Sequence, residues 1–451
     1  MSAQNLSALR EYLDGGFASV LATSAADGTP NVSVISDVRY VDERHVALSF
    51  QFFNKTHANI RENPRACLQV THPATGARQH LALRYLRTET AGPLFEAMKA
   101  KLAGIASHVG MTRVFHLRGA DVYEVLDIRQ VVGPVQRCGR SETLLAGLRE
   151  ALGLLRASDD VDALVDATLD ALHGHLGYSH CMLLSADALR QRLFAVGSAG
   201  YAHSGIGAEI AYGAGVIGVA ARERTAIRIT HMTSDYRYGT VVREQFVASD
   251  ATLDLDREIP LPGLAESRSQ LAMPIVADDR LLGIVYLESP TDACFTHADE
   301  EACGVLADAF AVHWQRLAAD DDEDGGDARS AAVPTLRGTP LAVAHDAHDH
   351  SVFINREYVI KGVAGAVLWR MLSDYARLGR VEFTNRELRR DANLGLPDFA
   401  DNLDARLVLL QRRLAERAVG ISLDKVGRGR YRLLLTRPLQ LEGTPCVGPC
   451  A

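Results

Sequence analysis

Asp401-Asn-Leu-Asp-Ala-Arg-Leu-Val-Leu-Leu-Gln-Arg-Arg-Leu-Ala-Glu-Arg417 has the periodicity of an α-helix. Leu403, Leu407, Leu410 and Leu414 recur at i, i+4, i+7 and i+11 and form one apolar stripe. At roughly 100° per residue, Asn402, Arg406, Arg413 and Arg417 fall on a second stripe beside it. Such a helix packs through its leucines and offers the other stripe to phosphates and base edges. Lys425-Val-Gly-Arg-Gly-Arg-Tyr-Arg432 follows as a basic hairpin, with Gly427 and Gly429 supplying the turn.

Charge agrees with this reading. Ser351–Gln440 holds 17 Lys/Arg against 10 Asp/Glu, a net +7, so the rest of a chain of net charge −8 carries −15. A basic tail on an acidic body points to nucleic-acid contact through the tail alone, the alternative being a solvated Arg-rich helix. The block of about 90 residues resembles the winged-helix output domain of two-component response regulators. The family pattern is carried by Leu403-Asp404, Leu407, Leu410 and Arg413-Leu414. Its wing strand is carried by Gly427-Arg428-Gly429-Arg430-Tyr431, with one extra residue before Tyr431. The resemblance implies DNA binding through Asn402, Arg406, Arg413, Arg417, Arg428 and Arg430. No receiver domain accompanies the block, so aspartate phosphorylation is not the expected input.

A chain of 451 residues suggests two to four domains. Its 47% hydrophobic content is that of a folded protein, and seven scattered cysteines make no disulfide framework. The start lacks a signal-peptide pattern, and no apolar run approaches the roughly 20 residues that span a bilayer. The expected setting is a reducing cytoplasm. Gly133-Pro134 ends a first block, residues 1–136. A second runs over 141–318. An acidic run from Asp320 to Asp327 opens a stretch, 319–350, whose composition reads as a flexible linker. The basic domain is 351–440. The expected fold class is multidomain α+β.

In the first block a short helix, Asn5–Leu13, precedes strands at Phe17–Thr23, Asn31–Tyr40, His45–Phe52 and Arg65–Thr71. Asp27-Gly28 signals a hairpin turn. Helix-like Pro93–Ser107 and a strand pair around Arg113–Leu126 complete a small barrel. Asp27-Gly-Thr-Pro-Asn31, Val46-Ala-Leu-Ser-Phe50 and Asn54-Lys55-Thr56 with Asn59-Ile-Arg-Glu-Asn-Pro64 resemble the FMN-binding split barrel of pyridoxamine-phosphate-oxidase-like proteins. That resemblance implies a phosphate held by Lys55 and Thr56, with Ser49 and Asn59 nearby, and FMN as cofactor; haem is the weaker alternative. The Arg-x-Val-Leu-Leu-Lys strand of true vitamin B6 oxidases is absent, which argues against that activity.

The second block has helix-like Glu142–Leu155 and Val161–Leu176, strands at Ser179–Leu184 and Leu193–Ser198, and a closing helix, His297–Leu317. Gly213-Ala-Gly-Val-Ile-Gly218, Ser267-Arg-Ser-Gln-Leu-Ala-Met-Pro-Ile-Val276 and Leu281-Leu-Gly-Ile-Val-Tyr-Leu-Glu-Ser289 resemble a GAF domain. The three glycines alone match a dinucleotide loop, but no strand–turn–helix unit with an acidic residue about 20 positions on supports that. The resemblance implies a small-molecule effector under a variable segment containing His231, Asp235, Tyr236 and Arg237. An exposed polar loop has the same composition.

Three other sets attract notice: His180-Cys181 as iron or haem ligands, His345, His348 and His350 in the linker, and Cys446 with Cys450 as a redox pair. For the first, a buried Cys beside a satisfied His is commoner; the histidines lie in a linker with no second shell, and the Cys pair, equally half a metal site, lies at a terminus, where function is uncommon. The reading reached is a one-component transcriptional regulator and homodimer, with barrel and GAF domain as input and the winged helix on DNA. Its alternative is a flavin-dependent oxidoreductase regulated by the other two parts.

Overall fold

The computed structural model describes residues 6–13, 19–51, 54–72, 75–108, 116–131, 140–230, 259–265, 267–323, 336–391, 394 and 403–442. The first block is a seven-stranded antiparallel sheet ordered β2-β1-β5-β6-β7-β4-β3. The strands are β1 (Ser19–Ser24), β2 (Pro30–Ile35), β3 (Val38–Asp42), β4 (His45–Phe50), β5 (Arg65–Thr71), β6 (Arg78–Glu89) and β7 (Gly119–Val131). Helices α1 (Arg10–Leu13), α2 (Asn54–Glu62) and α3 (Pro93–His108) accompany them. Alternation along β1 sends Ser19, Leu21 and Thr23 inward. Leu21, Leu48, Ile60, Leu68, Leu81 and Tyr123 meet in one core. Gly28, at φ 87°, turns β1 into β2, and the Asp27 carboxylate accepts the Thr29 amide at 2.9 Å. Strand β6 is absent from the sequence expectation. Of the strand pair expected around Arg113–Leu126, the described residues hold one long strand, β7, which pairs with β6, Leu81 opposite Ile128, and with β4, Val46 opposite Tyr123.

The second block is a six-stranded antiparallel sheet, β10-β9-β8-β13-β12-β11. Its strands are β8 (His180–Asp187), β9 (Arg192–Ala199), β10 (Glu209–Ala211), β11 (Ile227–Ile229), β12 (Ser269–Ala277) and β13 (Arg280–Ser289). Helices α4 (Arg140–Ala157), α5 (Val161–Asp170) and α7 (His297–Glu323) cover one face, and α6 (Gly215–Glu223) covers the other. Both faces being covered explains why β8 is buried almost throughout. Cys181 and Leu183 join Leu164, Leu172, Leu306 and Phe310, whereas Met182 and Leu184 join Val216, Val219 and Ala220. Asp160 caps α5, its carboxylate accepting the Ala163 amide at 2.8 Å. Gly104 lets α3 of the barrel approach Ile227 closely.

The third block begins earlier than expected. Leu341–His345, placed in the linker by its Pro- and His-rich surroundings, is strand β14, with Leu341 and Val343 fully buried. It pairs in parallel with β20 (Leu439–Glu442) and antiparallel with β15 (Val352–Ile354), which pairs with β16 (Glu357–Ile360). The first residues of that supposed linker, through Glu323, are the end of α7. After β16 come α8 (Gly362–Leu378), β17 (Glu382–Thr384), α9 (Asn385–Arg390), α10 (Leu403–Arg417), β18 (Ile421–Gly427) and β19 (Arg430–Leu435). Gly379, at φ 67°, ends α8. Thr384 and Glu387 form a capping box on α9. The last two strands and β17 form a sheet ordered β17-β19-β18. The expected leucine stripe holds: Leu403, Leu407, Leu410 and Leu414 are all buried. Among the described residues, no helix is long and apolar enough to cross a membrane.

Candidate functional site

In the barrel, α2 brings Thr56 and Asn59 against the inner ends of β1 and β2. The Asn31 amide donates to Thr56 Oγ1 at 2.9 Å, Ser33 and Thr56 hydroxyls lie 2.5 Å apart, and Asn59 Nδ2 donates to Thr23 Oγ1 at 3.2 Å. Thr23, Ser33, Thr56 and Asn59 are all buried. Lys55, one residue before Thr56 in the first turn of α2, is exposed. A hydroxyl–amide cluster, an exposed ammonium and a helix N-terminus are the donors a phosphate needs. Ser49 belongs elsewhere: it accepts the Asp37 amide at 3.2 Å and lies 3.2 Å from Ser36 Oγ. Its place in the phosphate cluster is thus corrected, since β4 directs it to a different polar set. Sequence reasoning misses Thr23, Asn31 and Ser33, although the alternation of polar residues along β2 carries the signal.

In the second block the glycines serve the backbone. Gly213 and Gly215 have φ of 84° and 61°, and a side chain on Gly218 would meet the Ala211 carbonyl at 2.3 Å. His231, Asp235, Tyr236 and Arg237 lie outside the described residues, as do Asn402, Cys446 and Cys450. Beside α6, Ile217, Leu261, Gln270 and Tyr286 line a cavity of about 370 Å³. Gln270 Nε2 donates to Ser267 Oγ at 3.2 Å, and its Oε1 is buried without a partner. Next to it on β13, burial pushes the Glu288 carboxyl up, although it accepts the Leu264 amide at 3.0 Å. The Cys181 thiol is likewise pushed up, to about 12, by burial. His345 stacks on Trp369 at 4.8 Å, so it is a core-edge residue of β14. No group of three or more His, Cys, Asp or Glu able to hold a metal ion occurs among the described residues.

Two of the three described arginines of the α10 stripe, Arg406 and Arg413, do not face solvent. Arg406 is 5% exposed. Its guanidinium bonds Asp187 at the end of β8 at 2.5 Å and lies 4.2 Å from the centroid of the Phe194 ring. Arg413 is also 5% exposed, donating to the Val359 carbonyl at 2.9 Å and to Glu416 at 2.7 Å. The expectation that both lie on an exposed, DNA-facing stripe is corrected. The helix instead packs on both sides, with leucines inward, Arg406 against the second block and Arg413 against β16 of its own block. Arg412, not singled out from the sequence, bonds Asp162 at 2.7 Å and Asp166 at 2.6 Å on α5. Gly197 leaves room for it; a side chain there would come within 3.0 Å of Arg412 Nη1. Lys425 reaches Asp160 at 3.6 Å and Lys361 reaches Glu209 at 3.9 Å. Arg417 is exposed, as is Arg428 at the tip of the β18–β19 hairpin, and Arg430 is half-exposed. Asp404 is buried and ties α10 to α9 by accepting from Asn385 and, at 2.9 Å, from Arg389.

Comparison with known families agrees with the first two blocks. Residues 7–125 match the family model for pyridoxamine 5'-phosphate oxidase, and residues 160–314 match the model for the GAF domain. The chain thus joins a split barrel of the pyridoxamine-phosphate-oxidase type to a GAF domain. Among solved structures, an FMN-binding protein from Syntrophomonas wolfei is 18% identical, with 29% of this chain and 88% of that chain covered and a TM-score of 0.25. Free methionine-R-sulfoxide reductase from Neisseria meningitidis is 18% identical, covering 41% and 97%, with a TM-score of 0.31. A putative GAF sensor protein from Burkholderia vietnamiensis is 19% identical, covering 42% and 99%, with a TM-score of 0.31. A search of curated proteins finds no match.

Proposed function

We propose that the chain is a one-component transcriptional regulator. The barrel and GAF domain are its inputs, and the third block is a winged-helix DNA-binding domain. The observation that carries this is the order of elements after α7. Three strands are followed by helix, short strand, two helices and a hairpin, and a last strand, β20, returns to pair with β14; the last helix is leucine-striped and Arg428 is exposed at the hairpin tip. Barrel and GAF domain fit a sensory role, the first with FMN on Lys55 and Thr56, the second with a small effector beside Gln270. When bound, FMN would supply redox chemistry, and this chain's residues would hold its phosphate. The working form is a homodimer.

The test is anisotropy of a labelled DNA duplex titrated with the full chain over a range of salt. Affinity should fall linearly with salt on logarithmic axes, as counterion release requires. Arg428→Ala with Arg430→Ala should weaken it and flatten the slope by about one for each phosphate these side chains neutralise. A complete lack of binding at low salt, in the variants described below as well as in the natural sequence, would refute DNA binding.

A further inference from the structure

Two arginines of α10, Arg406 and Arg412, are held against the GAF domain. We propose that this contact is an autoinhibitory latch, in which a carboxylate-lined surface of the GAF domain occupies the basic groups that would otherwise meet DNA phosphate. The proposal rests on the DNA-binding reading above and concerns the regulation of that site.

Five carboxylates from the GAF domain, Asp160, Asp162, Asp166, Asp187 and Glu209, engage four cations of the third block, Arg406, Arg412, Lys361 and Lys425. Glu416 adds a bond to Ser204. Apolar side chains share this contact, since the cores of the two blocks are continuous, and the charge pairs are set around them. Charge pairs contribute little net stability when buried, because desolvation cancels most of the attraction, and little when exposed. They confer specificity and can be exchanged for another polyanion. The contact grades from a buried centre, Arg406–Asp187, to an open rim, where the Asp166 side chain is 62% exposed. Such a rim is screened by salt.

The latch is also placed to be opened from within the GAF domain. Asp162 and Asp166 ride on α5, whose Val165 and Leu169 share a core with Phe194 and Val196 of β9. Asp187 ends β8, which crosses the sheet between the two cores. A shift of α5 on effector binding would move Asp162 and Asp166 together, and a shift of β8 would move Asp187. Arg406 cannot reach DNA while paired, so apparent affinity is the intrinsic affinity reduced by the fraction of open molecules.

The experiment compares the full chain with an Asp160→Asn, Asp162→Asn, Asp166→Asn variant. Asn keeps the helix cap at position 160. A control, Glu43→Gln, Glu62→Gln, Asp127→Asn, removes the same charge from exposed sites on the barrel. The latch variant should bind a mixed-sequence duplex about tenfold or more tightly than the control, the size expected if about nine molecules in ten are closed. Its amides over 403–417 should exchange faster. Faster exchange with affinity equal to the control overturns the latch. If exchange is unchanged, a Ser204→Cys, Glu416→Cys chain decides. Its oxidised, cross-linked form should lose binding that reduction restores, and equal affinity of the two forms overturns the latch while leaving DNA binding intact. Failure of every form to bind at low salt refutes the DNA-binding reading, and the latch with it.

Discussion

Arg406 and Asp187 stand 219 positions apart in sequence and form a buried ion pair, the guanidinium lying over the Phe194 ring. It couples the third block to the GAF domain, whose cores are already continuous. Removing one partner strands the other without water. Arg406→Ala should therefore destabilise the chain by about 3 kcal/mol, the low end for a broken buried pair. Arg190, 3.8 Å from Asp187, offers partial compensation. The double change Arg406→Met, Asp187→Leu should lie within about 1 kcal/mol of the starting stability, since an apolar pair avoids the desolvation cost. Urea unfolding of the natural chain, Arg406→Ala and the double variant measures both; Arg406→Ala as stable as the natural chain would show that the pair is not buried in solution.

Glu288 predicts a pH dependence. Its carboxyl is raised above 4.5 by burial, so the folded state favours the neutral acid. That contribution is present below 4.5 and is lost as pH rises through the raised folded value. Stability should fall over the interval above 4.5, and Glu288→Gln should abolish that part of the fall. Urea midpoints measured across the interval check this; parallel curves for the two proteins would contradict it.

Most of the architecture was legible because periodicity reports burial. The leucines of α10, the turn at Gly28 and the glycines before α6 all fell where local physics puts them. Strand β6 escaped because Arg78, His80, Arg84 and Arg87 dilute its inward residues, Gln79, Leu81 and Leu83. Strand β14 escaped because five residues among Pro and His give no pattern; its burial comes from pairing with β20, almost 100 positions later. The arginine stripe illustrates the deeper limit. Helical spacing places Arg406 and Arg413 on one side of α10, but only the tertiary contact with Asp187 and Val359 decides whether that side meets water, DNA or the protein's own acids. Nothing local to Arg406 names a partner so far away in sequence.

A homodimer is expected from the α4–α7 surface. Leu145, Val305 and Val312 are 73%, 46% and 64% exposed, and a groove between these helices is lined by Leu145, Leu148, Leu152 and Ala309. Large apolar exposure on adjacent helices favours a second copy. Light scattering at micromolar concentration should give about twice the chain mass of 48.9 kDa, and Leu145→Glu with Val312→Glu should halve it. A natural chain that stays at its own mass at all concentrations refutes this.

The phosphate cluster makes the sharpest claim about a cofactor. In the proposed site Lys55 would be the charged donor and Thr56 the hydroxyl; Thr56 lies beside Asn31 and Ser33 in the first turn of α2. Lys55→Ala should weaken FMN binding to the full chain by about 1.5–3 kcal/mol, the scale of a hydrogen bond to a charged group. Riboflavin lacks the phosphate, so it should bind the natural chain less tightly than FMN and the variant about as tightly. Ser49→Ala should change neither flavin's affinity directly, because Ser49 bonds Asp37 and not the cluster. Quenching of flavin fluorescence during titration measures each of these affinities. Equal binding of FMN and riboflavin to the natural chain would keep a flavin but move its phosphate away from Lys55, and failure of both to bind would remove the cofactor from the barrel.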